Sequence, residues 1–204
     1  RIDRRDDAGG AGARAGMRSF WIAAVLLMLV APAWAGPTGE PDPALRQALI
    51  KAINESSSFD DRFNAEVWLS DMSTRLKPLM PDDAERLRFL RLLHGEAIHA
   101  KLAPEFVLAV IQVESRFDRF AISKSGALGY MQIMPFWLKE IGKPGDNLLH
   151  TQTNLRMGCT ILRYYLDMEH NSYVRALARY NGSYGKADYP YLVLTALNNR
   201  WSPS

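Results

Sequence analysis

One acidic residue ends an otherwise apolar stripe in the middle of this chain. Val107, Val110, Ile111 and Glu114 are spaced i, i+3, i+4 and i+7, so on a helix they share one face. The three apolar residues predict that this face is buried, which places Glu114 at the end of a buried seam. Burial disfavours the ionised carboxylate, so the pKa of Glu114 should rise towards neutral pH, as a general acid requires. A glutamate in the last turn of a helix is more often a solvated surface residue, and the spacing alone leaves both interpretations open.

A loop follows this helix. Residues 123–129 are rich in Ser and Gly, and the segment YMQIMP occupies residues 130–135. An acid on a rigid helix beside a loop with two glycines predicts one wall of a cleft. Asp118 would share the face of Glu114 if the helix continued. The residues between them favour an exit from the helix, and the Asp118 side chain would then brace the local backbone.

Three ordered motifs in this region resemble those of the lytic transglycosylases with a soluble-transglycosylase catalytic domain. They are Glu114-Ser115, the pattern A-x-S-x-x-G-A-x-G-x-M-Q-I-M-P over residues 121–135, and RYNG over residues 179–182. The resemblance covers roughly residues 97–191. It implies a lysozyme-like, mainly helical fold and cleavage of the glycan strands of bacterial peptidoglycan.

The resemblance also implies a reaction that needs one carboxylate. Glu114 would protonate the leaving oxygen and later accept a proton, while the N-acetyl group of the sugar assists and its C6 hydroxyl attacks. The product would be a 1,6-anhydro-N-acetylmuramic acid end. Asp118 is expected to have a structural role, and the intact Glu114 and Gln132 argue against a chain that has lost activity.

The resemblance implies roles for the other matched residues. The residues expected to bind substrate are Ser123, Gln132, Met134 and Tyr180. The hydroxyl of Tyr180 could hold either the Glu114 carboxyl or the N-acetyl oxygen, and Asn181 is expected to shape a turn. Without the resemblance, Ser123 would be a turn residue and Met134 a core residue. The chain departs from the commoner family pattern at Tyr130 and in residues 160–165. These departures bear on the details of the sugar subsites and not on the reaction.

The N-terminal region has the layout of an exported protein. An 11-residue apolar run at residues 20–30 follows Met17-Arg18 and precedes Ala33-Trp34-Ala35, which predicts a signal peptide cleaved after Ala35 and a periplasmic location. An uncleaved anchor is the alternative. Residues 1–16 resemble an upstream extension. The predicted organisation is therefore extension and signal peptide (1–35), linker (36–43), N-terminal helical extension (44–96) and lysozyme-like domain (97–204).

Composition excludes several other functions. The chain carries 25 basic and 22 acidic residues. After residue 35, 20 basic and 19 acidic residues remain, a net charge of +1. This charge gives no reason to expect nucleic-acid binding. The single cysteine, Cys159, allows no internal disulfide and is expected in the core. The four histidines have no metal-ligand spacing, so we expect neither metal nor cofactor.

The predicted fold class is mainly α, with the N-terminal helices supporting the catalytic domain. Helices are predicted at residues 44–53, 63–76, 104–114, 135–141, 154–168, 173–180 and 191–201. A further long helix is opened by residues 81–83, with Asp82 and Glu85 arranged as a capping pair. Residues predicted to face inwards are Val67, Trp68, Met72, Leu76, Leu87, Leu90, Leu93, Ile98, Leu155, Cys159, Leu162 and Leu166. Residues predicted to be solvated are Arg86, Arg88 and Arg91.

Three other functions stay open from the sequence. The chain could be a goose-lysozyme-like hydrolase, a peptidoglycan-binding module without activity, or a helper that opens the wall for a secretion or cell-wall machinery. We expect a monomer whose principal partner is the peptidoglycan glycan strand.

Overall fold

The computed structural model describes residues 62–202. The predicted signal peptide, linker and helix at 44–53 lie outside these residues. The helices are α1 (Arg62–Leu76), α2 (Asp83–His99), α3 (Pro104–Glu114), α4 (Trp137–Ile141), α5 (Thr151–Met168), α6 (Tyr173–Tyr180) and α7 (Asp188–Ala196), followed by a π-helical turn (Leu197–Trp201).

The mainly α prediction is confirmed. Between residues 62 and 202 there is no β-strand, only isolated antiparallel bridges that join Leu128 to Ile122 and to Ile133. None of the helices in this part of the chain is both long and apolar enough to cross a membrane.

Helix α3 forms the centre of the core. Pro104 occupies its first turn, where the missing N–H costs no hydrogen bond. Val107, Val110 and Ile111 are completely buried, as predicted. On α5 the predicted stripe of Leu155, Cys159, Leu162 and Leu166 is likewise buried.

Helix α2 begins as predicted, because the Asp82 side chain accepts a hydrogen bond of 2.7 Å from the backbone N–H of Glu85. Leu87, Leu90 and Leu93 are buried, but Ile98 is 46% exposed, so that prediction is wrong. Ile98 lies in the last turn of α2, where the buried face ends with Ala97.

The prediction that Arg86 is solvated is also wrong, since only 1% of this residue is exposed. Its guanidinium donates to Ser73 Oγ (2.9 Å), to the carbonyls of Met80 (2.7 Å) and Pro81 (3.0 Å), and to the Asp83 carboxylate. These partners replace the lost hydration of the charge. Arg88, by contrast, is exposed as predicted, and Arg91 is half-buried.

Helix α1 buries most of the predicted face but not all of it. Met72 and Leu76 are buried and Trp68 is half-buried, but Val67 is 53% exposed and is not a core residue. Ala65 and Leu69 complete the buried stripe at spacings of 4, 3 and 4. This stripe belongs to the same apolar cluster as the core of α3, so α1 packs on the remainder of the described chain.

The C-terminal helices agree with the prediction at α6 and differ after it. Helix α7 starts at Asp188, three residues before the predicted start, and the chain then changes to a π-helical turn. That turn carries Trp201 into the core, where its indole N–H donates to Gln112 Oε1 at 2.8 Å. Helix α2 runs through the predicted boundary between residues 96 and 97, so the division into extension and domain stays a prediction.

Candidate active site

Glu114 is the last residue of α3, directly after the apolar seam. Its side chain is half-buried and forms no ion pair within residues 62–202. Burial raises the pKa of Glu114 from 4.5 to about 7, although a hydrogen bond from Tyr189 opposes this rise. The carboxyl is therefore divided between its protonated and ionised forms near neutral pH.

Tyr189 is the group that holds this carboxyl. Its hydroxyl donates to Glu114 Oε1 at 2.6 Å, and the residue is only 8% exposed. Burial and the neighbouring Glu114 raise the pKa of Tyr189 well above its usual value, so the hydroxyl keeps its proton and remains a donor. The sequence prediction missed this residue because the last helix was expected to begin at Tyr191.

Tyr180 lies at the end of α6 and has a different partner. Its hydroxyl donates to the backbone carbonyl of Met131 at 2.8 Å. Burial raises the pKa of Tyr180, and the negative charge of Glu114 adds to this effect, which indicates that the two side chains are neighbours. In this structure the hydroxyl that bonds to the Glu114 carboxyl is that of Tyr189 and not that of Tyr180.

The loop beside Glu114 is organised by its own polar side chains. Ser123 Oγ accepts a hydrogen bond of 2.9 Å from the backbone N–H of Ala127. The side-chain amide of Gln132 donates to the carbonyls of Ala121 (3.1 Å) and Gly129 (2.9 Å). Gln132 also has a φ of 48°, an unusual backbone conformation for a residue with a side chain. The amide oxygen of Gln132 has no hydrogen-bond partner in the described chain.

Asn154 of α5 anchors the same loop from beneath. Its side-chain oxygen accepts from the backbone N–H of Met131 at 2.8 Å, and its amide donates to the carbonyls of Leu128 and Leu148, both at 2.9 Å. Asn154 is almost fully buried. One turn later, Gly158 gives Met131 its space, because a Cβ there would lie 2.8 Å from Met131 Cβ. The loop is thus attached to α5, and it is also held at the end of α3, where Ser115 Oγ donates to the Tyr130 carbonyl at 2.8 Å.

The remaining predicted residues lie around this centre. Asp118 is exposed and its Oδ1 accepts from the backbone N–H of Phe120 at 2.8 Å, which confirms the predicted backbone brace. Met134 is half-buried after the loop, and Asn181 is an exposed residue that ends α6. Among residues 62–202, no three His, Cys, Asp or Glu side chains are placed to hold a metal ion.

Comparison with known proteins places this arrangement in a family. Residues 93–189 match the model described as the transglycosylase SLT domain. A curated relative, membrane-bound lytic murein transglycosylase C of Photorhabdus laumondii, is 28% identical in an alignment of 125 residues that covers 57% of this chain and 32% of that protein.

Two solved structures have lower similarity. An inactive mutant of the lytic transglycosylase Slt from Pseudomonas aeruginosa is 18% identical with a TM-score of 0.44, over 78% of this chain and 34% of that one. The 70 kDa soluble lytic transglycosylase of Escherichia coli is 19% identical with a TM-score of 0.41, over 76% and 29%. The chain spans about a third of the length of these relatives. From the family match, residues 93–189 of this chain carry a transglycosylase SLT domain.

Proposed function

We propose that this protein cleaves the β-1,4 bond between N-acetylmuramic acid and N-acetylglucosamine in peptidoglycan, without water, and forms a 1,6-anhydro-N-acetylmuramic acid end. The observation that carries the proposal is Glu114: a half-buried carboxyl with a pKa of about 7, a hydrogen bond from Tyr189 and no cationic partner in the described chain. A carboxyl with this pKa can both give and accept a proton near neutral pH.

In the first step Glu114 acts as the general acid. The bond between C1 of the muramic acid and the bridging oxygen breaks as the Glu114 proton moves to that oxygen, and positive charge develops at C1. The N-acetyl oxygen of the same sugar stabilises C1. Glu114 is left ionised, and the hydroxyl of Tyr189 then donates to a full negative charge, which is the stronger form of this hydrogen bond.

In the second step Glu114 acts as the general base. The C6 hydroxyl oxygen bonds to C1 and its proton moves to the Glu114 carboxylate, which restores the starting enzyme. No water enters the product, and no second carboxylate is required. The brace that Asp118 forms with Phe120 is consistent with this single-acid reaction.

The loop residues are proposed to hold the sugar. The amide oxygen of Gln132 is available to accept a hydrogen bond from a sugar hydroxyl or N-acetyl N–H, since its amide nitrogen is bonded to the loop. Ser123 would donate its hydroxyl proton while it continues to accept from Ala127. Met134 would pack beside the sugar, and Tyr180 would support the loop through the Met131 carbonyl.

The proposed place of action is the cell envelope, where peptidoglycan lies. The name of the Photorhabdus relative includes murein, which supports this substrate for the present chain. Export by the signal peptide that ends at Ala35, action as a monomer and association with a secretion or cell-wall machinery are parts of the same proposal.

The product mass tests the reaction. Purified sacculi are incubated with the protein and the released muropeptides are analysed by mass spectrometry. Each product should be one water lighter than the product of hydrolysis. Products with a reducing end would replace the proposal with a lysozyme-like hydrolase. Binding to sacculi without release of any muropeptide would indicate a binding module.

A further inference from the structure

A cavity lies beside the candidate active site. A cavity of about 510 Å³ opens between α3, α7 and the π-helical turn. Its lining includes Gln112 and Val113, which directly precede Glu114, and Leu192, which lies one helical turn after Tyr189. The volume is within the range of cavities that bind small molecules. Both chain segments that form the Glu114–Tyr189 pair therefore continue into this cavity.

The charged groups that line the cavity are two arginines, Arg116 and Arg200, with no carboxylate among the lining residues. Arg116 is exposed and forms no hydrogen bond or ion pair within residues 62–202. The cavity therefore has a positive charge that the described part of the chain does not neutralise. An anion is the ligand that such a charge attracts.

Arg116 is held at the cavity by an unusual backbone. Its φ is 52° and that of Phe117 is 67°, so two consecutive residues adopt the left-handed conformation. This conformation costs about 1–2 kcal/mol per residue with a side chain. Phe117 offsets the cost because its ring is buried against Trp201, with the centroids 5.6 Å apart. The anchor fixes the turn that carries Arg116.

Arg200 is fixed from the opposite wall. Its Nη2 donates to the carbonyl of Arg75 at 2.6 Å, and its guanidinium lies 5.3 Å from the centroid of the Trp201 ring. Burial lowers the pKa of Arg200, and no carboxylate bonds to it within the described chain. This guanidinium is positioned before any ligand arrives, so little side-chain freedom would be lost on binding.

Neutral groups complete the lining. The oxygen of the Gln112 amide accepts from Trp201, which leaves the amide nitrogen as a donor. Thr195 and Asn199 add polar side chains, and Leu192 and Val113 add apolar surface. A ligand that matches this lining has a carboxylate for the arginines and small apolar groups beside it.

We propose that this cavity binds the carboxylate of a short peptide, which Arg116 and Arg200 hold together. The inference rests on the proposed function in one respect, since peptidoglycan strands carry short peptides. A peptide on a strand that is bound at Glu114 would be close to the cavity. A free peptide offers the same chemistry, and the two sources are separated below.

Binding is tested first, without any need for activity. The probe is N-acetyl-alanyl-alanine, with its C-terminal amide as the uncharged comparison, titrated into the full chain by calorimetry. The carboxylate should bind more tightly than the amide. Arg116→Ala should weaken binding of the acid probe by about tenfold, the loss expected for one charged hydrogen-bonding partner. Arg116→Lys should weaken this binding less. Arg88→Ala is the matched control, because Arg88 is exposed and lines a different cavity.

Equal binding of the acid and the amide would overturn the proposal, as would an Arg116→Ala variant that folds and binds like the parent. Circular dichroism and the melting temperature establish that each variant is folded. These outcomes do not depend on Glu114, so they separate a failure of this inference from a failure of the proposed function.

Cleavage then identifies the source of the peptide. Rates are compared on glycan strands that carry their peptides and on strands from which an amidase has removed them. If the strand supplies the carboxylate, Arg116→Ala should lower kcat/KM on the first substrate by about tenfold and leave the second unchanged. If probe binding falls and both rates stay unchanged, the cavity serves a free peptide. A similar fall on both substrates would contradict peptide recognition.

Discussion

The hydroxyl of Tyr189 donates a hydrogen bond of 2.6 Å to Oε1 of Glu114, across 75 residues of sequence. This bond favours the ionised carboxylate, whereas burial favours the protonated acid, and burial has the larger effect. The result is a pKa of about 7. One contact therefore moderates the rise in pKa and fixes the direction of the carboxyl.

The substitution Glu114→Gln should abolish catalysis and leave the fold intact. The amide preserves the shape of the side chain but has no acidic proton to give, so the rate on purified sacculi should fall by about a thousandfold. Asp118→Asn is the control, because Asp118 is exposed and braces only local backbone. A loss at Asp118 as large as the loss at Glu114 would favour a mechanism with two carboxylates.

Glu114 should also make the stability of the protein depend on pH. Its pKa is about 7 in the folded chain and 4.5 in the usual unfolded reference, so below pH 4.5 both states carry the proton. Between these values the unfolded state loses the proton first, and the free energy of unfolding falls by about 3 kcal/mol. Glu114→Gln removes this fall.

Urea unfolding of both proteins at pH 4 and pH 8 checks this prediction. The variant should gain stability relative to the parent as the pH rises, because all other titrating groups are common to the two. A difference that is the same at both pH values would mean that the carboxyl is not significantly desolvated.

The substitution Tyr189→Phe should raise the pKa of Glu114 further, since it removes the hydrogen bond that lowers it. The fall in activity on the alkaline side should move to higher pH, and the maximal rate should drop by about tenfold because the carboxyl is less well oriented. Tyr180→Phe is the matched control, because its hydroxyl bonds to the Met131 carbonyl. It should lower the rate without moving the pH profile, and an equal shift in both variants would contradict the distinction.

The substitution Asn154→Ala should loosen the loop that carries Gln132. It leaves the N–H of Met131 and the carbonyl of Leu148 without their partner, at a cost of about 2–4 kcal/mol, while the carbonyl of Leu128 still accepts from the N–H of Ile133. Thermal unfolding measures the cost, and KM on glycan strands should rise. Gln152→Ala, on an exposed turn of the same helix, should change neither quantity. Unchanged kinetics in Asn154→Ala would mean that the loop is held by other contacts.

Buried positions and local hydrogen bonds could be predicted from the sequence wherever helical spacing or short-range bonding rules decide them. The α5 stripe of Leu155, Cys159, Leu162 and Leu166 follows helical spacing, and the structure buries all four. The cap at Asp82 and the turn at Asp118 depend on side chains that bond to backbone two or three residues away. Such contacts can be predicted because both partners lie in the same short segment.

Predictions failed where the partner lies elsewhere in the fold. Arg86 was expected in solvent because arginine is seldom buried, but Ser73 and Met80, which precede α2, supply its hydrogen bonds. The helical pattern predicts Val67 on the inward side, yet the packing of α1 buries Ala65 and exposes Val67. Tyr189 could not be found because no local pattern connects it to Glu114.

The docking of α7 has a consequence for how the protein matures. Glu114 is synthesised before Tyr189. A nascent polypeptide that has not reached Tyr189 therefore lacks the hydrogen bond to the Glu114 carboxyl. The hydrogen bond that orients the carboxyl therefore forms only after α7 has packed against α3.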